Sequence, residues 1–100
     1  MVKLRNALVS VNQTVNDWQG NQLRIQQSIE KAKQASAHCI WFPELSGSAY
    51  GCEDLFYYDS SLQACESLIN NLIPLTEDII CGIGVPVKIE NQLFLSLIHI

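Results

Sequence analysis

The sequence is poor in charge: only 16% of its 100 residues are Asp, Glu, Lys or Arg, against about 25% in ordinary globular domains. It holds just six Lys and Arg, dispersed along the chain, with a formal net charge of −4 and a pI near 4.9. That balance excludes the basic footprint of a nucleic-acid binder and the polybasic patch of a protein held at an anionic membrane. The four cysteines, Cys39, Cys52, Cys65 and Cys81, are spaced by 13, 13 and 16. No C-x-x-C pair exists, so the common zinc signature is missing and no metal site is expected. Met1-Val2-Lys3-Leu4-Arg5 leads straight into a strand-like pattern, without the apolar region of a secretory signal. Apolar runs such as Ile40-Trp41-Phe42-Pro43 are far too short to cross a bilayer. A cytoplasmic chain with reduced thiols follows as the expectation. Internal repeats and low-complexity segments are also lacking.

What is present is apolar: 48% of the residues are hydrophobic, which excludes a disordered chain. Leu4 to Val11 reads as a first strand ending in the polar stretch Asn12-Gln13-Thr14. Asp17 to Asn21 carries turn chemistry, with Gly20 free to take positive φ and Asn21 a good helix N-cap. Ile25, Ile29, Ala32 and Ser36 then mark one face of an amphipathic helix, with Lys31 and Lys33 near its negative C-terminal end. His38 to Phe42 suits a buried strand covered on both faces, and Pro43 stops it. Residues 44–58 form a long irregular stretch, of a length that is often functional.

Ser60-x-x-Gln63 resembles a capping box. It opens a second helix whose buried face is expected at Leu62, Cys65, Ile69 and Leu72 and whose extent Pro74 limits. Asp78 to Val85 is a third strand, and Leu93 to Ile100 a fourth after the turn at Glu90-Asn91-Gln92. The order β-α-β-α-β-β implies an α/β class with a parallel start and a closing hairpin. The last strand is followed by no cap, turn or charged tail. A sheet of these elements leaves a face or edge uncovered, so residues 1–100 are expected to be part of a domain that continues past Ile100.

Glu44 is the candidate with chemistry. It lies just past the carboxyl end of an apolar strand, where open α/β sheets bind ligands. Partial burial there would raise a carboxyl pKa toward the range of a general acid or base. A solvated turn residue or a loop cap would occupy the same place. Among the thiols, Cys39, Cys65 and Cys81 read as core. Cys52, though in a loop, is followed by Glu53 and Asp54, whose charges disfavour a thiolate. His38 and His99 each stand alone on a strand and read as structural. Glu53 and Asp54 serve equally as a cap for the turn that follows or as a solvated acidic pair.

The segment Phe42-Pro43-Glu44-Leu45-Ser46-Gly47-Ser48-Ala49-Tyr50-Gly51-Cys52-Glu53-Asp54-Leu55 resembles the F-P-E-L…G-Y…E-D-L stretch of the carbon–nitrogen hydrolase (nitrilase) superfamily. Tyr50 to Asp54 looks most like the glutaminase domain of the glutamine-dependent NAD synthetases. Asp17, Gly20 and Asn21 match the D-x-x-G-N that opens the first helix of that domain. Asp78 to Pro86 and Leu93 to Ile100 resemble its next two strands. Ala49 stands where that family usually has Gly, Ser48 where it often has Thr, and Leu95 where Asn is common.

The resemblance implies the N-terminal part of a four-layer α-β-β-α sandwich and a Glu–Lys–Cys triad. Glu44 would be the general base, and Tyr50 would line the glutamine pocket. The Lys and Cys would lie downstream of Ile100. It also implies a separate synthetase domain using ATP, Mg and deamido-NAD, none of them bound by this chain, and assembly into homo-oligomers. A stand-alone amidase of the same superfamily and a non-catalytic α/β module are the competing readings.

Overall fold

The computed structural model describes residues 3–15, 17–43, 45–49, 59–89 and 92–99, with 59, 87–89 and 92–99 described by their backbone alone. Chain order runs β1 (Asn6–Leu8), α1 (Trp18–Gln34), β2 (Cys39–Trp41), α2 (Asp59–Leu72), a 3₁₀ turn (Ile73–Thr76), β3 (Ile80–Ile89) and β4 (Gln92–His99). The four strands form one sheet in the order β1-β2-β3-β4. The β1–β2 pair is parallel, with Ala7 opposite Ile40, and β2–β3 is parallel, with Ile40 opposite Cys81. The β3–β4 pair is an antiparallel ladder running from Gly82 opposite His99 to Ile89 opposite Gln92. The expected parallel start and closing hairpin are both present.

Each helix forms for a local reason. Helix α1 starts at an N-cap aspartate, Asp17, whose Oδ1 accepts from the Gly20 N–H at 3.1 Å. The expected cap, Asn21, lies inside the first turn instead and is fully buried. Gly20 is helical rather than left-handed, and no glycine among the described residues has positive φ. The glycine is needed for space: a Cβ there would fall 2.1 Å from Asp17 Oδ2. The helix ends with Ser36 at φ 59°, while Ser36 N donates to Lys33 O and Ala37 N to Ala32 O. This is the paired closure of a Schellman motif, and it takes Ser36 out of the apolar stripe expected to include it. Lys31 and Lys33 do occupy the last turn.

Helix α2 begins at Asp59, one residue before the expected Ser60 cap. Its buried residues are Cys65, Leu68 and Leu72. Ile69 is only partly buried against the core, so Leu68 takes the place expected for Ile69. Spacing alone could not separate these neighbours, because both lie close to the inward direction. Pro74 falls at the start of the 3₁₀ turn, where it ends the α-helical hydrogen-bond ladder.

One core holds the helices to the sheet. Ile25, Ile29 and Ala32 from α1 and Leu68 and Leu72 from α2 meet Ile40 of β2 and Cys81 and Ile83 of β3, with Phe42 and Ile79 at the ends. Both helices pack on the same face, as two right-handed crossovers in one direction require. Residues of alternate register, Leu8 and Ile80, are instead 84% and 43% exposed. Among the described residues both helices thus lie on one face, while on the other register Cys39 of the inner strand is buried and Leu8 and Ile80 on the flanking strands stay open.

Candidate functional site

Strand β2 delivers the chain to the candidate site. Phe42 N donates to Gly82 O at 3.0 Å, and Val9 N donates to Trp41 O at 3.0 Å, so the exit from β2 is pinned on both sides. Pro43 follows. Glu44 and Tyr50, the residues expected to act, lie outside the described residues, as do Cys52, Glu53 and Asp54. What the structure does define is the segment between the first two, Leu45 to Ala49.

All five residues of that segment are buried. Leu45, at φ 54°, and Ala49, at φ 70°, are both left-handed. That conformation costs a non-glycine residue about 1–2 kcal/mol, so the fold must hold it in place. Ala49 N donates to Leu45 O at 2.8 Å, closing the turn. Ser46 Oγ donates to Pro43 O, and Ser48 Oγ to Ala49 O at 3.3 Å. Gly47 packs closely on the sheet and on α2, since a Cβ there would stand 3.3 Å from Val85 Cγ1.

Buried loop carbonyls need donors, and here they come from two side chains across the fold. Gln13 Nε2 donates to Ser46 O at 2.6 Å and to Asn21 O at 3.1 Å. Asn21 Nδ2 donates to Gly47 O at 3.0 Å and to Thr14 O at 2.9 Å. Asn21 Oδ1 accepts from Thr14 N at 2.9 Å and from Arg24 Nη2 at 2.7 Å. Arg24 Nε donates to Gln13 Oε1 at 2.7 Å, and its third side-chain contact is a looser ion pair with Asp17 at 3.5 Å. Asn21 of the D-x-x-G-N motif, together with Gln13, is thus the back wall of the loop. From sequence Asn21 fits a cap and Gln13 the polar end of a strand, whereas in the fold both serve the loop. The available signal was the polar run after β1 next to a motif that places an amide in the first turn of α1.

The remaining candidates fall into structural roles. His38 Nδ1 accepts from the Arg5 backbone N–H at 2.9 Å, and Arg5 Nη1 donates to Ala35 O at 2.5 Å, joining the end of α1 to the start of β1. The side chain of His99 lies outside the described residues. Cys39, Cys65 and Cys81 are buried. Burial pushes the Cys81 thiol up from 9.0 to about 11, so it stays protonated at neutral pH and is a poor nucleophile. Among the described residues no three His, Cys, Asp or Glu side chains converge as metal ligands. No described helix is long and apolar enough to cross a membrane.

No family model matches the chain. Individual relatives do. The glutamine-dependent NAD(+) synthetase of Bos taurus is 42% identical over 94 residues, covering 89% of this chain, and that of Homo sapiens is 38% identical over 91 residues, also covering 89%. The chain spans 13% of the length of each of these relatives. Among solved structures, the glutamine-dependent NAD(+) synthetase from Cytophaga hutchinsonii superposes with a TM-score of 0.94 at 31% identity, covering 97% of this chain and 17% of that one. An amidase of the nitrilase superfamily from Nesterenkonia shares the fold, with a TM-score of 0.84 at 20% identity, covering 97% of this chain and 38% of its own. Sequence and fold together mark the chain as a homologue of one segment of the glutamine-dependent NAD(+) synthetases.

Proposed function

We propose that this chain supplies the general-base segment of a glutamine-hydrolysing amidase domain. In this reading the carboxylate of Glu44 takes the proton of a cysteine thiol as that thiol attacks the glutamine carboxamide. It then returns a proton to the departing ammonia. Tyr50 lines the glutamine pocket. The triad's Lys and Cys come from sequence outside these 100 residues, as does a synthetase domain that would use ATP, Mg and deamido-NAD and consume the ammonia. The domain is completed as an α-β-β-α sandwich by a second sheet laid on the open face that exposes Leu8 and Ile80. The working protein is a cytoplasmic homo-oligomer.

The observation that carries this reading is 42% identity to a glutamine-dependent NAD(+) synthetase over 89% of a chain that holds the Glu44–Tyr50 segment. Its support in the fold is the position of that segment, at the carboxyl end of a parallel strand. A stand-alone amidase shares the fold, but at half the identity.

The test is Glu44→Gln in the full-length enzyme. The amide keeps size and hydrogen bonding but accepts no proton. Glutamine-dependent synthesis should fall by about 10²–10⁴-fold, while synthesis from added ammonia stays near wild type. Glutamine hydrolysis at the wild-type rate would return Glu44 to the role of a turn residue.

A further inference from the structure

The amide network behind Leu45–Ala49 is larger than a surface loop needs. Asn21 is fully buried and uses both oxygen and nitrogen of its side chain, in four hydrogen bonds. Gln13 bridges the loop carbonyl of Ser46, the helix carbonyl of Asn21 and the guanidinium of Arg24. These contacts join three separate pieces of chain: the exit of β1, the first turn of α1 and the loop between residues 44 and 50. The loop they grip holds left-handed, non-glycine residues at Leu45 and Ala49. Such conformations persist only where surrounding groups over-determine them, and they gather at functional sites.

We propose that Gln13 and Asn21 are positioning residues for amide hydrolysis. By holding Ser46 O and Gly47 O they fix the backbone that follows position 44, on which the placing of a general base at that position depends. Gln13 is the adjustable member, half-buried and attached to the loop by one short bond of 2.6 Å. Asn21 is the anchor that ties the same loop to the start of α1. This inference rests on the reading of Glu44 given above. A general base must sit within hydrogen-bond reach of the proton it takes. Misplacement by about 1 Å, caused at a distance, can cost on the order of 10²-fold in rate.

The decisive experiment is a double-mutant cycle in the full-length enzyme, built from Gln13→Met, Glu44→Gln and the pair. Methionine keeps the length of the side chain and removes both the donor to Ser46 O and the acceptor for Arg24. Gln13→Met should lower kcat for glutamine by about 10–100-fold with KM within about threefold of wild type. Added to Glu44→Gln it should cost nothing further, because positioning works only through the carboxylate. Retention of more than a third of kcat, or losses that multiply in the double variant, would overturn the inference. Gln13→Glu keeps the acceptor for Arg24 but puts a second carboxylate oxygen where the donor faced the Ser46 and Asn21 carbonyls, and should reproduce the kcat loss in a protein that still melts cooperatively. If neither Gln13 variant melts cooperatively, the network is scaffold alone and the inference falls. Wild-type hydrolysis by Glu44→Gln would instead sink the functional reading, while an inactive Glu44→Gln beside an unimpaired Gln13→Met sinks only the positioning role.

Discussion

At the scale of single residues, backbone conformation explains a substitution that composition could not. Ala49 occupies a position where the resembled family usually has glycine, and its φ of 70° is the reason glycine is favoured. Alanine bears the left-handed conformation at about 1–2 kcal/mol. It recovers part of that through a buried methyl, worth roughly 0.8 kcal/mol, and through a less flexible unfolded chain, worth about 0.4–1 kcal/mol. These terms nearly cancel. Ala49→Gly should therefore change stability by less than about 1 kcal/mol. Ala49→Val should destabilise by about 3 kcal/mol or more, since a β-branched residue at positive φ is a severe outlier and the site is closed. Urea melts of both variants in the full-length enzyme would check this, and a well-tolerated valine would mean that residue 49 is not left-handed in solution.

At the scale of elements, the opening of α1 is a unit of coupled parts. Asp17 caps the helix, Gly20 leaves room for the Asp17 carboxylate, and Asn21 turns the first buried side chain toward the loop. A methyl at Gly20 would meet Asp17 Oδ2 at 2.1 Å, so Gly20→Ala must displace the cap. Losing a cap costs about 0.5–2 kcal/mol, which offsets or exceeds the gain of up to about 1 kcal/mol from alanine's helix propensity. With the carboxylate removed the clash disappears and only the gain remains. Gly20→Ala should thus stabilise the Asp17→Ala background while being neutral or destabilising in the wild type. A coupling of about 1 kcal/mol between the sites is expected from thermal or urea unfolding of the four proteins. Strict additivity would show that the cap carboxylate does not occupy the space above Gly20.

At the scale of the whole molecule, the sheet is asymmetric. Helices α1 and α2 seal one face, while Leu8 and Ile80 stand 84% and 43% exposed on residues of the other register, and Leu4, just ahead of β1, is exposed as well. Exposed apolar side chains on an uncovered sheet face drive association when their partner is absent. The isolated 100-residue chain should self-associate in sedimentation velocity, and Leu8→Lys with Ile80→Lys should shift it toward monomer. A sharp monomer for the unsubstituted chain would show that the open face is protected by other means.

Much of the fold was determined by local pattern. The order β-α-β-α-β-β, the parallel start, the hairpin and most of the α1 core stripe follow from the alternation of apolar runs with amphipathic stretches. The stop of β2 ahead of Pro43 was equally plain, because strand and proline are close in sequence. Tertiary structure alone decided the rest. Leu68 rather than Ile69 enters the core because packing against β3 sets the rotation of α2, and periodicity leaves that rotation open by one residue. Asn21 serves Gly47 O, 26 residues away, and Gln13 serves Ser46 O, 33 residues away. A hydrogen bond between residues so distant along the chain leaves no periodic trace in sequence, since its partners meet only after the sheet has brought the exits of β1 and β2 side by side.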